Sequence, residues 1–288
     1  MYEIKKDYRD DALLRQSFNE LAKNTFSLDF EDWYQNGLWT NRYNPHSIVK
    51  DGEVIANVSV NQTNMIFDGE IKHFLQLGTV MTKEDFRRQG LIREIMAAID
   101  ADYSGSSDGI YLFANDSVLD FYPKFGFQKA SEYLYSKQFK ATGKCQFERI
   151  PMYSKNAWES LTSAMERNVF HGRLDLTENA QLILFYVTKF MQEDVYYHRD
   201  SDTYVIAEFK TGNIFLHNVF SSTLRRLNEI IPLFGESAGK VSLGFVPEQE
   251  DGFEGEKLFT EDCTFFIRGN KTDIFLKEKL RIPSLAHA

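Results

Sequence analysis

The feature that most narrows what this chain can fold into is a change of period between residues 72 and 114. Residues 72–81 read as a strand. The loop Thr82-Lys83-Glu84-Asp85-Phe86-Arg87-Arg88-Gln89-Gly90 follows. Leu91, Ile92, Ile95, Met96 and Ile99 then form one apolar stripe at helical spacing. After Ser104-Gly105-Ser106-Ser107-Asp108-Gly109 comes Ile-Tyr-Leu-Phe-Ala at 110–114, a continuous apolar run of the kind buried mid-sheet. Strand, basic glycine loop, amphipathic helix and buried strand together predict an α/β chain.

The flanks fit that frame. Asp10 and Asp11 precede Leu13, Leu14, Phe18 and Leu21, a helix start with its apolar face. Residues 29–39 mix acids with Phe30, Trp33, Tyr34, Leu38 and Trp39. A short strand at 47–50 meets the hairpin turn Asp51-Gly52, and Val54, Ala56, Val58 and Val60 alternate beyond it. Asp68-Gly69 is a second turn. A short helix is expected at 117–122, bracketed by Pro123 and Gly126, with strands in 127–139 completing the unit. The second half resembles a worn copy of this order. Val205-Ile206-Ala207 echoes Val54-Ile55-Ala56, residues 214–220 read as a strand, 224–233 as a helix and 241–246 as a strand. Phe220-Ser221-Ser222-Thr223 runs into that helix without a basic glycine loop. At roughly 150 residues per domain, 288 residues predict two, divided here as 1–142 and 143–288 with a boundary in 141–144.

Composition excludes several classes. With 43% hydrophobic and 26% charged residues the chain can build cores and is not a disordered segment. Lys plus Arg number 33 against 42 Asp plus Glu, a net charge of −9, which argues against nucleic-acid partners. No apolar run reaches membrane-spanning length, and the N-terminal residues lack a signal peptide's apolar stretch. Cys145 and Cys263 form no CxxC pair and the six histidines show no ligand spacing. A reducing cytoplasm and no metal are expected. The acidic run at 248–256 reads as a solvated loop.

The loop carries the chemistry. A helix N-terminus presents unpaired N–H groups and a dipole that favours anions, Gly90 permits close approach, and Arg87 and Arg88 add charge. Such a place suits a pyrophosphate. On the string alone, a solvated Arg-Arg pair before an ordinary helix is the commoner case.

Arg87-Arg88-Gln89-Gly90-Leu91-Ile92-Arg93 resembles the acetyl-CoA loop of the GNAT N-acetyltransferase superfamily, Arg/Gln-x-x-Gly-x-Gly/Ala, with Ile92 in place of the last small residue. The variant is similar to the enhanced-intracellular-survival (Eis-like) branch. Tyr122-Pro123-Lys124-Phe125-Gly126-Phe127 resembles that branch's Tyr-x-Arg-Phe-Gly-Tyr motif, about thirty residues on. The resemblance covers roughly residues 1–140. It implies a catalytic GNAT fold, a mixed splayed sheet flanked by helices, followed by a second degenerate GNAT-like α/β unit that walls the acceptor pocket. The sterol-carrier-like third domain of full-length relatives is not expected.

The resemblance further implies acetyl-CoA as cosubstrate. An amine attacks the thioester, an oxyanion forms, and Tyr122 protonates the leaving CoA thiolate. Strand residues Val80, Met81 and Thr82 and loop residues Arg87, Arg88, Gln89, Gly90, Leu91 and Ile92 would bind the cofactor, the strand acting as mock partner to the pantetheine arm. Asn115 either touches the cofactor or caps the next helix. Candidates for the acceptor side are Asp29, Asp32 and Trp33, where carboxylates beside rings suit a cationic amine, and His73 as a base. The plainer alternatives are an amphipathic helix with a solvated acidic face, and a satisfied strand histidine. The acceptor is a small-molecule or peptide amine, and a homo-oligomer stays open. Two rivals remain: a non-catalytic acyl-CoA-binding regulatory protein, and aminoacyl transfer from charged tRNA, which the net charge disfavours.

Overall fold

The computed structural model describes residues 2–140, 143–169, 172–210, 212–237, 239–249 and 252–287. Part of the boundary segment, His171 and residues 250–251 of the acidic run lie outside them. The first half forms β1 (Glu3–Lys5), α1 (Ala12–Phe26), α2 (Glu31–Gln35), β2 (Tyr43–Lys50), β3 (Glu53–Phe67) and β4 (Glu70–Thr82). It continues with α3 (Leu91–Asp102), β5 (Gly109–Ala114) and β6 (Gln128–Lys129).

Local chemistry explains these elements. Asp11 caps α1 by accepting from the N–H groups of Leu13 and Leu14. The hairpin turns place Asp51 and Gly52, then Asp68 and Gly69, at positive φ, the geometry that matches strand twist. Helix α3 starts at Gly90 (φ 84°) and buries Leu91, Ile95, Met96 and Ile99. Strand β5 is apolar throughout because both faces are covered. Ile110, Leu112 and Ala114 pack with α3, whereas Tyr111 joins a core shared with the second half.

The second half contributes β7 (Tyr133–Gln138), β8 (Glu148–Arg149), α4 (Lys155–Glu166), β9 (Gly172–Thr177), α5 (Ala180–Lys189), β10 (Val195–His198) and β11 (Thr203–Lys210). Then come β12 (Asn213–Ser221), α6 (Leu227–Ile230), β13 (Lys240–Leu243), β14 (Val246–Pro247), β15 (Glu254–Lys257), β16 (Thr264–Arg268) and α7 (Ile274–Lys277). The expected helix at 224–233 is α-helical only over α6, with 3-10 turns beyond it. Pro232 cannot continue the backbone ladder.

Two mixed sheets result, each opening between parallel neighbours. Among the described residues one has nine strands, with β1-β2-β3-β4-β5-β16-β6 as its path, β9 alongside β3 and β14 alongside β9. The other runs β15-β7-β13-β12-β11-β10-β8. The order strand, strand, helix, parallel strand occurs in both, as β3-β4-α3-β5 and β11-β12-α6-β13.

The sheets trade strands. The run 127–139 was expected to complete the first unit, but only β6 does so. Strand β7 inserts between β13 and β15 of the second sheet, and β16 returns to lie between β5 and β6 of the first. Both are short, half-apolar strands, and nothing local specifies which sheet accepts them. One apolar cluster consequently spans both halves, holding Tyr111, Phe265 and Ile267 with Leu216, Val241 and Phe245.

Asp175 on β9 lies in this junction. Its Oδ1 accepts from Leu176 N at 2.8 Å and from Asn218 Nδ2 at 3.0 Å, while Oδ2 is buried without a partner. Burial pushes its pKa up to about 7, against the hydrogen bonds. The folded state therefore holds a proton that the unfolded chain releases near pH 4. Stability should fall as pH rises from about 4 to about 7, at up to roughly 1.4 kcal/mol per unit, and then level off. Asp175→Asn should flatten that decline in urea titrations at pH 5 and pH 8. Parallel pH profiles for the two proteins would contradict this.

Candidate functional site

Strands β4 and β5 pair in parallel from Phe74↔Gly109 only as far as Leu77↔Leu112, although β4 runs on to Thr82 and β5 to Ala114. The sheet opens there. A bulge on the other side of β4 forces the opening: Ser59 faces Gly78 and Asn57 faces Met81, so Thr79 and Val80 together oppose Val58. Thr79 takes φ 43°, costly for a β-branched residue.

A buried polar chain holds that backbone. Asn57 Nδ2 donates to the Thr79 carbonyl at 2.9 Å and to Ser59 Oγ at 3.0 Å, while Ser47 Oγ donates to Asn57 Oδ1 at 2.8 Å. Thr79 Oγ1 donates to Ser59 Oγ at 2.5 Å and also contacts Tyr43 Oη at 2.9 Å. With its carbonyl tied inward, Thr79 leaves Val80 without a ladder partner on β3, beside the opening.

The glycine loop closes one end. Arg88 (φ 63°) and Gly90 (φ 84°) turn the chain so that, among the described residues, the N–H groups of residues 88–92 donate to no protein acceptor. Arg87 and Arg88 are exposed and both line the opening, with Arg87 Nε 3.3 Å from the Thr82 carbonyl. Ile92 lines it too, whereas Leu91 is buried among the α3 core residues. Gln89 turns away, accepting from Tyr2 Oη and donating to the Asp85 carbonyl.

Opposite, Tyr122 begins a tight turn that ends at Gly126 (φ 81°). Its ring is packed by Phe121, Phe127 and Phe266, and it is 5% exposed. Burial pushes its pKa up to about 12, so the phenol stays protonated at neutral pH. Asn115 stands before the preceding turn but makes no side-chain cap, its Nδ2 reaching Asp262 at 3.3 Å instead.

One cavity of about 860 Å³ brings Val80, Met81, Thr82, Arg87, Arg88, Ile92, Asn115 and Tyr122 together, while Gln89, Gly90 and Leu91 do not line it. Trp33 also reaches it. Asp29, Asp32 and His73 do not. Asp29 accepts from Glu31 N at the start of α2, Asp32 faces solvent, and His73 sits at the other end of β4, its Nδ1 2.9 Å from Asn64 Oδ1.

Sequence reasoning missed the far wall. Helix α5 and the residue after it supply Leu182, Phe185, Tyr186 and Phe190, and His287 enters from the end of the described chain. The signal for α5 was present, since Ala-Gln-Leu-Ile-Leu-Phe-Tyr-Val is apolar nearly all round, as a helix covered on two sides must be. Nothing local marks His287. Its ring stacks on Phe113 at 4.1 Å, and Nε2 lies 3.0 Å from the Ile282 carbonyl and 3.3 Å from Glu132 Oε1. Burial works against its charge, but the Glu132 carboxylate and the Cys263 side chain together outweigh it and lift the pKa to about 9.

The matching opening of the second sheet is filled. Strands β12 and β13 part after Leu216↔Leu243, and there Ser284 donates its N–H to the Gly244 carbonyl at 2.7 Å and its Oγ meets His217 Nδ1 at 2.9 Å. A Cβ at Gly244 would come within 2.2 Å of that Oγ. Among the described residues no three His, Cys, Asp or Glu side chains form a group able to hold a metal ion, and no helix is long and apolar enough to cross a membrane.

Comparison with known proteins agrees with this geometry. Residues 10–130 match the family model described as an acetyltransferase (GNAT) domain. That stretch therefore resembles a domain found in acyltransferase enzymes. A solved Enterococcus faecalis protein described as a "Probable N-Acyltransferase" superposes with a TM-score of 0.65 at 14% identity, over 96% of this chain and 74% of its own. Eis1 from Mycobacterium abscessus gives 0.57 at 14% identity, over 92% and 73%. A GCN5-related N-acetyltransferase from Anabaena variabilis gives 0.55 at 14%, over 93% and 72%. At such identities the likeness is one of fold, and it extends over both halves. No curated protein matches the sequence.

The polar chain behind the bulge generates a prediction. Asn57→Ala strands the Thr79 carbonyl and leaves the Ser47 hydroxyl with Tyr8 Oη alone, and should lower stability by about 1–3 kcal/mol in urea unfolding. A change below about 0.5 kcal/mol would show that the bulge does not depend on this side chain.

Proposed function

We propose that this protein moves an acetyl group from acetyl-CoA to a primary amine by direct attack. One observation carries the reading: unpaired loop amides flanked by two guanidiniums, a bulged strand edge and a buried phenol surround a single cavity. In this reading the amides of residues 88–92, with Arg87 and Arg88, hold the pyrophosphate. The unpaired edge of β4 takes the pantetheine arm as a mock strand, and Asn115 lies beside it.

The residues divide the chemistry as follows. A backbone N–H at Val80 faces the thioester oxygen and stabilises the charge that develops there. The acceptor nitrogen forms its bond to the acetyl carbon as the carbon–sulfur bond breaks. Tyr122 gives its proton to the departing sulfur and recovers one from water, and the amine's surplus proton leaves to solvent. Burial suits this role because a phenol held near 12 remains an acid at any physiological pH.

The division at residue 142 belongs to the same proposal, with 143–288 as a degenerate unit that walls the acceptor side through α5 and His287. Filled by residues around Ser284, the second opening takes no cofactor. The tandem order of elements supports kinship with the Eis-like branch. Two free cysteines, Cys145 and Cys263, go with a cytoplasmic location.

Tyr122→Phe separates catalysis from binding. It should lower kcat by about 10²–10⁴-fold in CoA-release assays while leaving the Kd for acetyl-CoA within about threefold of the parent. A variant with parental kcat would remove the phenol from the mechanism. A parent that binds acetyl-CoA but acetylates no amine would mark a non-catalytic acyl-CoA-binding protein.

A further inference from the structure

We infer that the acceptor is a primary monoamine on an apolar, ring-bearing body, and not a polycation. This rests on the acyl-transfer reading of the same cavity. The acceptor side is a wall of rings and branched chains, formed by Phe26, Phe30 and Trp33 of the first half together with Leu182, Phe185 and Phe190 of the second. Phe30, Trp33 and Phe185 pack against one another with centroids 5.1–6.3 Å apart, so this wall is rigid.

Charge makes the choice. Among the described residues that line the cavity, none is an aspartate or glutamate. The nearby carboxylates are engaged elsewhere: Glu31 with Arg15, Glu132 behind His287, and Asp262 with Asn115 and the Asp116 N–H. The charged groups that do line it, Arg87, Arg88 and His287, are cationic. A polyamine or an aminoglycoside would have to strip water from several ammonium groups without meeting a protein counter-charge, and with Arg87 and Arg88 taken up by the pyrophosphate it would meet the His287 cation.

The same electrostatics address a second problem, the supply of a neutral amine. No carboxylate lines the cavity, and its histidine is held charged by Glu132 and Cys263. Desolvation and the neighbouring cation both disfavour an ammonium ion. A single amine entering this cavity is thus driven toward its neutral, attacking form by its surroundings, with the proton left in bulk water. A ring-bearing body adds its apolar area to the aromatic wall and is favoured by its removal from water.

The experiment is a CoA-release assay on the full chain with acetyl-CoA, comparing 2-phenylethylamine with spermidine and an aminoglycoside. The expected kcat/KM is at least tenfold higher for 2-phenylethylamine. Phe190 lines the cavity but is 54% exposed, so Phe190→Asp can be tested without emptying the core. It should lower kcat/KM for 2-phenylethylamine about tenfold and raise it for spermidine, with acetyl-CoA affinity unchanged. Phe190→Leu, the control for folding, should keep the parental order. Spermidine or the aminoglycoside matching 2-phenylethylamine in the parent would overturn the inference and leave acyl transfer standing. So would octanoyl-CoA with spermidine outrunning acetyl-CoA with 2-phenylethylamine, since the apolar wall would then belong to the acyl chain. Bound acetyl-CoA with no turnover of any amine would bring down both readings.

Discussion

The structure turns on the place where two parallel strands stop pairing. Beyond Leu77 and Leu112 the edges of β4 and β5 are free, and a bulge at Thr79 and Val80 keeps them so. Unpaired main-chain groups inside a protein are expensive unless something meets them. Here the Thr79 carbonyl is met by Asn57, and the remaining edge faces a cavity. The strain at Thr79, the buried polar chain behind it and the splayed sheet are one arrangement. It turns strand edge into a surface that an extended ligand can pair with.

The second half shows the same opening filled by protein. The parting of β12 and β13 repeats that of β4 and β5, but its loop carries no glycine at a helix start and α6 is only 4 residues long. Residues around Ser284 fill the gap, with Ile282 and Leu285 at 0% and 1% exposure. Having crossed there, the chain brings Ala286 to the Tyr111 hydroxyl and His287 to Phe113, both on β5. The segment that closes one opening thus helps to shape the other. Exchange of β7 and β16 binds the halves further, so neither sheet is complete without residues from across position 142.

Legibility in the sequence followed the range of the interactions. Helix α3, strand β5 and the two Asp-Gly turns were readable because stripe, run and turn chemistry are local. Arg87 and Tyr122, singled out from motifs in short strings, come to line one cavity. The strand exchange was not readable, since β7 and β16 choose partners more than 100 residues away by packing, not by composition. His287 was silent for the same reason. The acids at 29 and 32 misled differently: acids beside rings suggested an acceptor site, yet α2 turns only Trp33 inward and spends Asp29 on its own N-terminus. A helical face is fixed by which residue points to the core, and a segment of 5 residues carries too little periodicity to show it.

The most direct measurement is a calorimetric titration of the whole chain with coenzyme A at low and moderate salt. The account predicts saturable heat with one site per chain, weakening as salt rises because two exposed guanidiniums share the load. No heat from well-folded protein would contradict the opening at β4 and β5 as a ligand site, and two sites per chain would contradict the closure of its counterpart.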